Sequence, residues 1–260
     1  MLTHLRELAG AYELLYVWTL RDFKVRYSQS LLGATWAILQ PLSLMIVFSL
    51  IFALFIRVPT EGVPYPVFAY SALLVWTFFA NSLSMAFPSL VNNINLVSKI
   101  YFPREIMPIA ANLVAMIDFV IAAVIFALLM IIYKISVGWT IIFLPLLFLI
   151  QVVFTLGISL AASAINVFYR DVRFVIPLVL QIWMYLSPVI YPASLVPERI
   201  QPLYFLNPMA TLIESYRRVV FFNQPPDWFY LGVTTVITTV VAMVSYHYFK
   251  RAERLFADLV

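Results

Sequence analysis

Long apolar runs without charge constrain this chain more than any other feature. The segment from Leu32 to Phe55 contains no charged residue and exceeds the ~20 residues that a helix needs to cross a membrane. Comparable runs follow at Val67 to Pro88, Ile106 to Tyr133, Trp139 to Val167, Phe174 to Tyr191 and Trp228 to Phe249. Hydrophobic residues make up 64% of the 260 residues and charged ones 11%, which exceeds what the core of a soluble protein requires. The sequence therefore predicts an all-α integral membrane protein with six transmembrane helices in one domain, residues 1–260.

The distribution of Lys and Arg predicts how these spans are oriented. Eleven of the 16 basic residues fall in four segments that six spans would place on one side: the amino terminus, the segment after span two, the loop after span four and the tail, residues 250–260. Basic residues accumulate on the cytoplasmic side, so both termini are predicted to be cytoplasmic. A seventh span over Leu203 to Phe222 would move the basic tail outside and is rejected. The net charge of +4 is too small to indicate nucleic-acid binding.

Residues 1–30 have the pattern of a helix that lies in the membrane interface. One face is predicted to carry Leu2, Leu5, Leu8, Tyr12 and Leu15. Acidic residues are scattered through the segment, and it lacks the apolar core of a cleavable signal peptide.

A polar stretch, Ser89 to Pro108, separates spans two and three, and we call it the elbow. Apolar residues at helical spacing predict a short amphipathic helix on the membrane surface, and they are Leu90, Ile94, Val97 and Tyr101. The polar positions are Asn92, Asn93, Asn95, Lys99, Arg104 and Glu105. Such an elbow suits docking by a soluble partner, and the alternative is a plain interhelical loop.

The connection before the last span, residues 192–227, is too apolar for an ordinary exposed loop. Asn207 can cap a helix and Pro208 can occupy its first position. Glu214 precedes Arg217 and Arg218 by three and four residues, which favours pairing on one helix face. We predict two short helices, Pro197 to Leu206 and Pro208 to Phe222, that form a re-entrant hairpin. This hairpin is either an external gate over a pathway or a lid that only packs on the bundle.

Chemistry-bearing motifs are absent from the sequence. It contains no P-loop, no H-E-x-x-H, no G-x-S-x-G and no cysteine, so neither a catalytic nor a metal site is predicted. Asp118 is the only ionisable side chain well inside a predicted span. It could serve a proton or cation path, but a carboxyl that is hydrogen-bonded in the bundle or protonated is favoured because no charged companion is evident.

Four motifs together carry a resemblance to a known family. They are Arg26 to Gly33 ahead of Trp36 and Pro41, the elbow sequence from Tyr101 to Glu105, the loop from Asn166 to Val172, and Leu206 to Pro208 with Tyr216 and Arg217. In this order they resemble the membrane subunit of ABC type-2 exporters, and especially the permeases that export O-antigen and related cell-surface polysaccharides.

That resemblance implies partners and a location. Two copies of the chain would pair with two separate ABC ATPase subunits, which would bind ATP and Mg, so no cofactor is expected in this chain. The complex would lie in a bacterial inner membrane among its lipids and export a lipid-linked polysaccharide. A small lipid, a drug or a teichoic-acid-type polymer is the alternative cargo.

The resemblance also assigns expected roles to residues. The elbow would be a coupling helix that contacts the ATPase, through Asn92, Asn93, Lys99, Arg104 and Glu105, with Arg170 and Asp171 as a second contact. Alternatively, Arg104 could simply pair with Glu105, and Arg170 could be a positive-inside anchor. The channel lining is expected to include Phe48, Phe52, Phe55, Trp183 and Tyr185, unless these rings face lipid or the core. Arg217 and Arg218 of the gate would be available to a diphosphate or an acidic sugar.

Overall fold

The computed structural model describes residues 10–28, 33–99 and 102–256, and these residues are almost entirely helical. The α-helices in chain order are α1 (Tyr12–Ser28), α2 (Trp36–Phe48), α3 (Tyr65–Ala86), α4 (Ser89–Asn92), α5 (Ile94–Lys99), α6 (Ile106–Ile132), α7 (Leu144–Phe168), α8 (Val172–Tyr185), α9 (Gln201–Tyr204), α10 (Pro208–Phe221) and α11 (Trp228–Ala252). Short 3-10 segments are Gly33–Thr35, Trp139–Phe143, Ala193–Leu195 and Glu253–Leu255, and Ser49–Ile56 is a π-helix.

Five helices of the described residues are long and apolar enough to cross a membrane. They are Trp36–Ile56, Tyr65–Ala86, Ile106–Ile132, Trp139–Phe168 and Trp228–Leu255. The predicted fifth span is helical only as α8, whose 14 residues fall short of the ~20 needed for a full crossing. Its early end follows from Pro188, since the residue before a proline is disfavoured in the helical region. Six full-length spans are therefore not confirmed.

The first long helix changes its winding halfway. The α-helix continues through the buried Pro41 and gives way to the π-helix at Ser49. A π-helix needs more residues per turn than an α-helix, so side chains that share a face at α-helical spacing are rotated apart here. This change decides where the aromatic residues of that helix lie.

The third helix, α3, forms the centre of the bundle. Of an apolar stretch of 18 residues in this helix, 83% is buried, against 17–33% in the corresponding stretches of the other four long helices. It packs most extensively on α6, while α11 packs on α7. A close approach at Gly157 permits the second contact, because a Cβ there would lie 3.0 Å from the Cα of Ala242 in α11.

Contacts among the loops and helix ends define two faces at opposite ends of the helix bundle. On the first, Arg21 of α1 donates to Asn93 (3.1 Å), and Asn166 at the end of α7 donates to the carbonyl of Phe87 (3.0 Å). We call it the basic face; it comprises α1, the elbow, the 169–171 loop and the end of α11. The other, the hairpin face, comprises residues 57–64, 133–140 and 187–227, where the Thr140 hydroxyl donates to the carbonyl of Val219 (2.7 Å). This grouping matches the two sets of loops predicted from the basic residues.

The elbow and the hairpin are both less regular than predicted. The elbow helix breaks at Asn93 into α4 and α5, and Tyr101 lies outside the described residues. In the predicted hairpin, α10 ends within one residue of the prediction, whereas the expected helix Pro197 to Leu206 is α-helical only as α9, Gln201–Tyr204. The re-entrant hairpin is therefore not confirmed, and the term hairpin is kept for residues 192–227.

Candidate functional site

The carboxyl end of the elbow is held by a cluster of four charged residues: Arg104, Glu105, Lys250 and Glu253. We call it the four-charge cluster. The Lys250 ammonium lies 2.7 Å from the Glu105 carboxylate and 2.9 Å from that of Glu253. The Arg104 guanidinium donates to the backbone carbonyl of Glu253, and its backbone N–H donates to the Glu253 side chain (3.3 Å). Glu105 is only 1% exposed, so its contacts are internal to the bundle. The cluster thus joins the start of α6 to the end of α11.

The remaining coupling candidates lie on the same basic face. Asn92 is exposed, whereas Asn93 accepts from Arg21 of α1 and donates to the carbonyl of Ser89 (2.8 Å). The Lys99 side chain falls outside the described part of the chain. Arg170 and Asp171 are both exposed between α7 and α8, so with Asn92 they are the accessible polar candidates of this face. Their roles stay predictions.

Asp118 has two partners on α1 that the sequence did not reveal. Its Oδ1 accepts from the Tyr27 hydroxyl (2.5 Å), and its Oδ2 lies 3.1 Å from the Arg26 guanidinium. Burial, with the hydrogen bond to Asp118, raises the pKa of the Tyr27 hydroxyl well above its usual range, so the phenol remains a donor. The prediction that Asp118 lacks a charged companion is wrong, while the hydrogen-bonded alternative agrees with these contacts.

The aromatic residues expected along the first span do not share one face. Phe48 and Phe52 pack inward against the buried clusters around α3, and the Phe52 ring stacks on Tyr65 with centroids 6.4 Å apart. Phe55 is 81% exposed and points away from the bundle. The π-helix separates Phe55 from the other two rings, because its larger number of residues per turn rotates positions that an α-helix would place on one face.

The two aromatic candidates of α8 are likewise divided. The Trp183 ring packs edge-on against Phe79 (5.1 Å between centroids), and its Nε1 donates to the Asn207 side chain (2.9 Å). Tyr185 is 55% exposed. Among these five candidates, Phe55 and Tyr185 are therefore the rings open to a ligand, a lipid or a second chain.

Asn207 connects the end of α8 to α10. Its Oδ1 accepts from the backbone N–H of Met209 (3.1 Å), which is the predicted helix cap, and Pro208 occupies the first turn as predicted. Its Nδ2 donates to the carbonyl of Leu186 (3.3 Å) and to the Ser187 hydroxyl (2.9 Å). One amide therefore fixes α10 relative to the end of the fifth predicted span.

The charged residues of α10 do not pair as the sequence suggested. The described side chains of Arg217 and Arg218 form no ion pair with Glu214. Arg217 turns inward and is 1% exposed, with its guanidinium 3.6 Å from the centre of the Phe68 ring and its Nη2 donating to the carbonyl of Val189 (3.2 Å). Arg218 donates through Nε to the carbonyl of Pro225 (3.2 Å). The expectation that Arg217 is freely available to an anion is therefore not met.

Sequence reasoning missed the partners of these sites rather than the sites themselves. The sequence places Lys250 and Glu253 in a basic tail, and Arg26 among the basic residues that predict the orientation of the spans. In the sequence, Lys250 and Glu253 are recognisable only as an i, i+3 charge pair, and Arg26 only as a basic residue near the end of a predicted helix. Both patterns are too frequent to identify a distant partner. Within the described residues, no group of three or more His, Asp or Glu side chains could hold a metal ion.

Comparisons with known proteins match most of this chain. The model of the family described as ABC-2 type transporter matches residues 13–221. The O-antigen export system permease protein RfbA of Klebsiella pneumoniae is 28% identical over 251 residues, which cover 96% of this chain and 95% of that protein. The protein of the same name from Myxococcus xanthus is 28% identical over 263 residues, covering 100% of both chains. The polysialic acid transport protein KpsM of Escherichia coli is 21% identical over 235 residues, covering 87% of this chain and 90% of that protein.

Proposed function

The chain belongs to the ABC-2 type transporter family, and from that premise we propose that it is the permease subunit of an ATP-driven exporter of lipid-linked polysaccharide. The observation that carries the proposal is the similarity to O-antigen export permeases over nearly the whole length of both chains. The polysialic acid transport protein, which matches over 87% of this chain and 90% of its own length, is a further relative named for a sugar polymer. The exported cargo is therefore a glycan of the O-antigen type, and the basic face is the cytoplasmic side of a bacterial inner membrane.

A separate ATPase supplies the energy in this proposal. The sequence has no P-loop, so this chain does not bind nucleotide phosphates in that way. The basic face offers polar, exposed residues to a partner, namely Asn92, Arg170 and Asp171. Docking there by two ATPase subunits couples nucleotide-driven closure to the membrane helices.

The contacts of the elbow support a mechanical route for that coupling. Asn93 ties the elbow to α1, and the four-charge cluster ties its other end to α11. The Arg26 and Tyr27 contacts with Asp118 then join α1 to the middle of α6. A displacement of the elbow is therefore shared by three helices instead of being lost in a flexible loop.

The glycan path is formed between two copies of the chain. α2 and α8 leave apolar side chains exposed, which only lipid or another protein can cover in a membrane. Phe55 projects from the π-helix that continues α2, Tyr185 projects from the end of α8, and both supply aromatic faces on which sugar rings pack. The hairpin gates the outer end of this path, with Asn207 as the residue that holds α10 against the end of α8.

Copurification with the cognate ATPase tests the proposal. Wild type should assemble with it and show ATPase activity stimulated by lipid-linked polysaccharide. Asn92→Trp places a bulky ring on the proposed docking surface and should abolish assembly or stimulation, whereas Gln224→Trp, at an exposed position of the hairpin face, should not. Failure of wild type to bind any ABC ATPase contradicts the proposal. If only a small lipid, a drug or a teichoic-acid-type polymer stimulates the ATPase activity, that compound replaces the O-antigen-type glycan as the proposed cargo.

A further inference from the structure

The hairpin face contains a polar cavity of about 280 Å³ that the transport proposal does not use. Its walls come from six parts of the chain: the loop after the first long helix, α3, the 192–194 segment, residues 201–205, α10 with Phe222, and the start of α11. The carboxylates of Glu61 and Glu214 line it, together with Gln201. Phe205 and Tyr230 form an aromatic wall, with ring centroids 4.8 Å apart. The volume is near the lower end of ordinary ligand pockets, roughly 300 Å³, and suits one or two sugar units rather than a chain.

A buried cation lines the same cavity and is incompletely satisfied. The Nη groups of Arg217 donate to three backbone carbonyls, but its Nε has no hydrogen-bond partner among the described residues although it is buried. Buried polar groups are paired in the great majority of structures, so this donor beside the cavity can take an acceptor that enters it. Glu214 lies three residues earlier and also lines the cavity, but its carboxylate does not accept a hydrogen bond from this Nε.

The charges of the wall restrict which ligand fits. Three carboxylates, those of Glu61, Glu214 and Asp227, face two guanidinium groups, and the excess negative charge disfavours an anion. Asp227 is already engaged, since it accepts from the backbone N–H groups of Phe229 and Tyr230. Within the described ranges, the carboxylates of Glu61 and Glu214 accept no hydrogen bond, and hydroxyl groups are their natural complement.

We propose that this hairpin-face cavity binds a neutral sugar unit. Glu61 and Glu214 accept from its hydroxyls, an oxygen of the sugar accepts from Arg217, and one apolar face of the ring packs on Phe205. The identification of this sugar as part of the exported glycan rests on the proposed function; binding of the sugar does not. The site would hold the polymer as it leaves the membrane and so disfavour its return.

Ligand-observed NMR on the full-length protein in lipid nanodiscs tests this site directly. The probes are glucose, galactose, mannose and N-acetylglucosamine, with glucuronate and inorganic phosphate as anionic counterparts. At least one neutral sugar should bind more tightly than either anion. Glu214→Ala should weaken that binding about tenfold or more, as the loss of a charge-assisted hydrogen bond implies.

Two further variants keep the test decisive. Glu61→Ala alters an exposed loop residue and should also weaken binding, so the test does not depend on the folding of a variant in α10. Glu198→Ala is the control, because it removes an exposed carboxylate of the hairpin face that does not line the cavity, and it should leave binding unchanged.

The possible failures are distinct from those of the transport proposal. Tighter binding of glucuronate or phosphate than of every neutral sugar overturns the inference, as does sugar binding that both cavity variants leave intact. Absence of sugar binding by a protein that still exports glycan with its ATPase also overturns it and leaves the exporter standing. Specific sugar binding by a protein that does not export supports the cavity and refutes the exporter.

Discussion

Replacement of Lys250 by methionine should destabilise the protein through the four-charge cluster. Lys250 is the ammonium partner of Glu105, whose carboxylate is almost completely buried at 2.7 Å from it. Methionine keeps most of the apolar stem and removes the charge. The change therefore leaves a buried carboxylate without its cation, and removal of one partner of such a pair costs about 3–5 kcal/mol. Lys250 is not entirely shielded from water, so we expect a loss near 3 kcal/mol.

A double-mutant cycle separates this electrostatic loss from the loss of packing. Glu105→Gln should lessen the penalty of Lys250→Met, because the uncompensated charge is then gone. The double variant should be less destabilised than the sum of the two single variants by about 2 kcal/mol. Arg251→Met is the matched control: it removes a cation from the neighbouring, exposed position of the same helix and should change stability by less than about 0.5 kcal/mol.

Reversible unfolding by SDS in mixed micelles, followed by tryptophan fluorescence, gives these free energies. The reasoning is refuted if Lys250→Met is no more destabilising than Arg251→Met. It is also refuted if the losses of Lys250→Met and Glu105→Gln simply add, since the two side chains would then not interact.

Three further changes probe other contacts of the fold. Gly157→Leu should lower the free energy of unfolding by about 1–3 kcal/mol, because the larger side chain forces α7 away from the α11 backbone. Gly232→Leu is the control and should cost nothing, because the space around Gly232 is open. Equal losses in the two variants would contradict the close packing at Gly157. Asn207→Ala should lower the free energy of unfolding by about 2–3 kcal/mol, with about 1 kcal/mol from the lost helix cap and the rest from donors left without an acceptor. A loss below about 0.5 kcal/mol would show that the Asn207 amide does not hold α8 and α10 together. Asp118→Asn should weaken the contact that holds α1, so the amide hydrogens of α1 should exchange about tenfold faster while those of α3 stay protected. Unchanged exchange in α1 would show that this carboxyl does not hold the helix.

The positions of the long helices could be predicted from the sequence because charge is so strongly excluded from them. The structure begins α6 at Ile106 and α11 at Trp228, as predicted, and ends them within about three residues of the predicted positions. The cap at Asn207 was predictable for a similar reason: the Asn-Pro pair acts locally on the next helix turn. The fifth span was not, since apolar composition continues past Tyr185 while Pro188 ends the helix.

The partners of the charged residues could not be predicted because they are distant in sequence. Asp118 meets Tyr27 across 91 residues, and Glu105 meets Lys250 across 145. Helical periodicity states which side of a helix is polar but not which helix faces it. The same limit explains Arg217: its i−3 carboxylate suggested a surface pair, whereas tertiary packing turned the guanidinium onto Phe68.

Transport into inverted membrane vesicles tests the central claim most directly. Vesicles that contain the chain and its ABC ATPase subunit are supplied with lipid-linked polysaccharide and ATP, and the glycan protected from an added glycosidase is measured. The account predicts protected glycan that requires this chain, ATP and an intact P-loop in the ATPase, and that persists when the proton gradient is dissipated. Protection that a proton gradient drives without ATP, or that is the same without this chain, would contradict it.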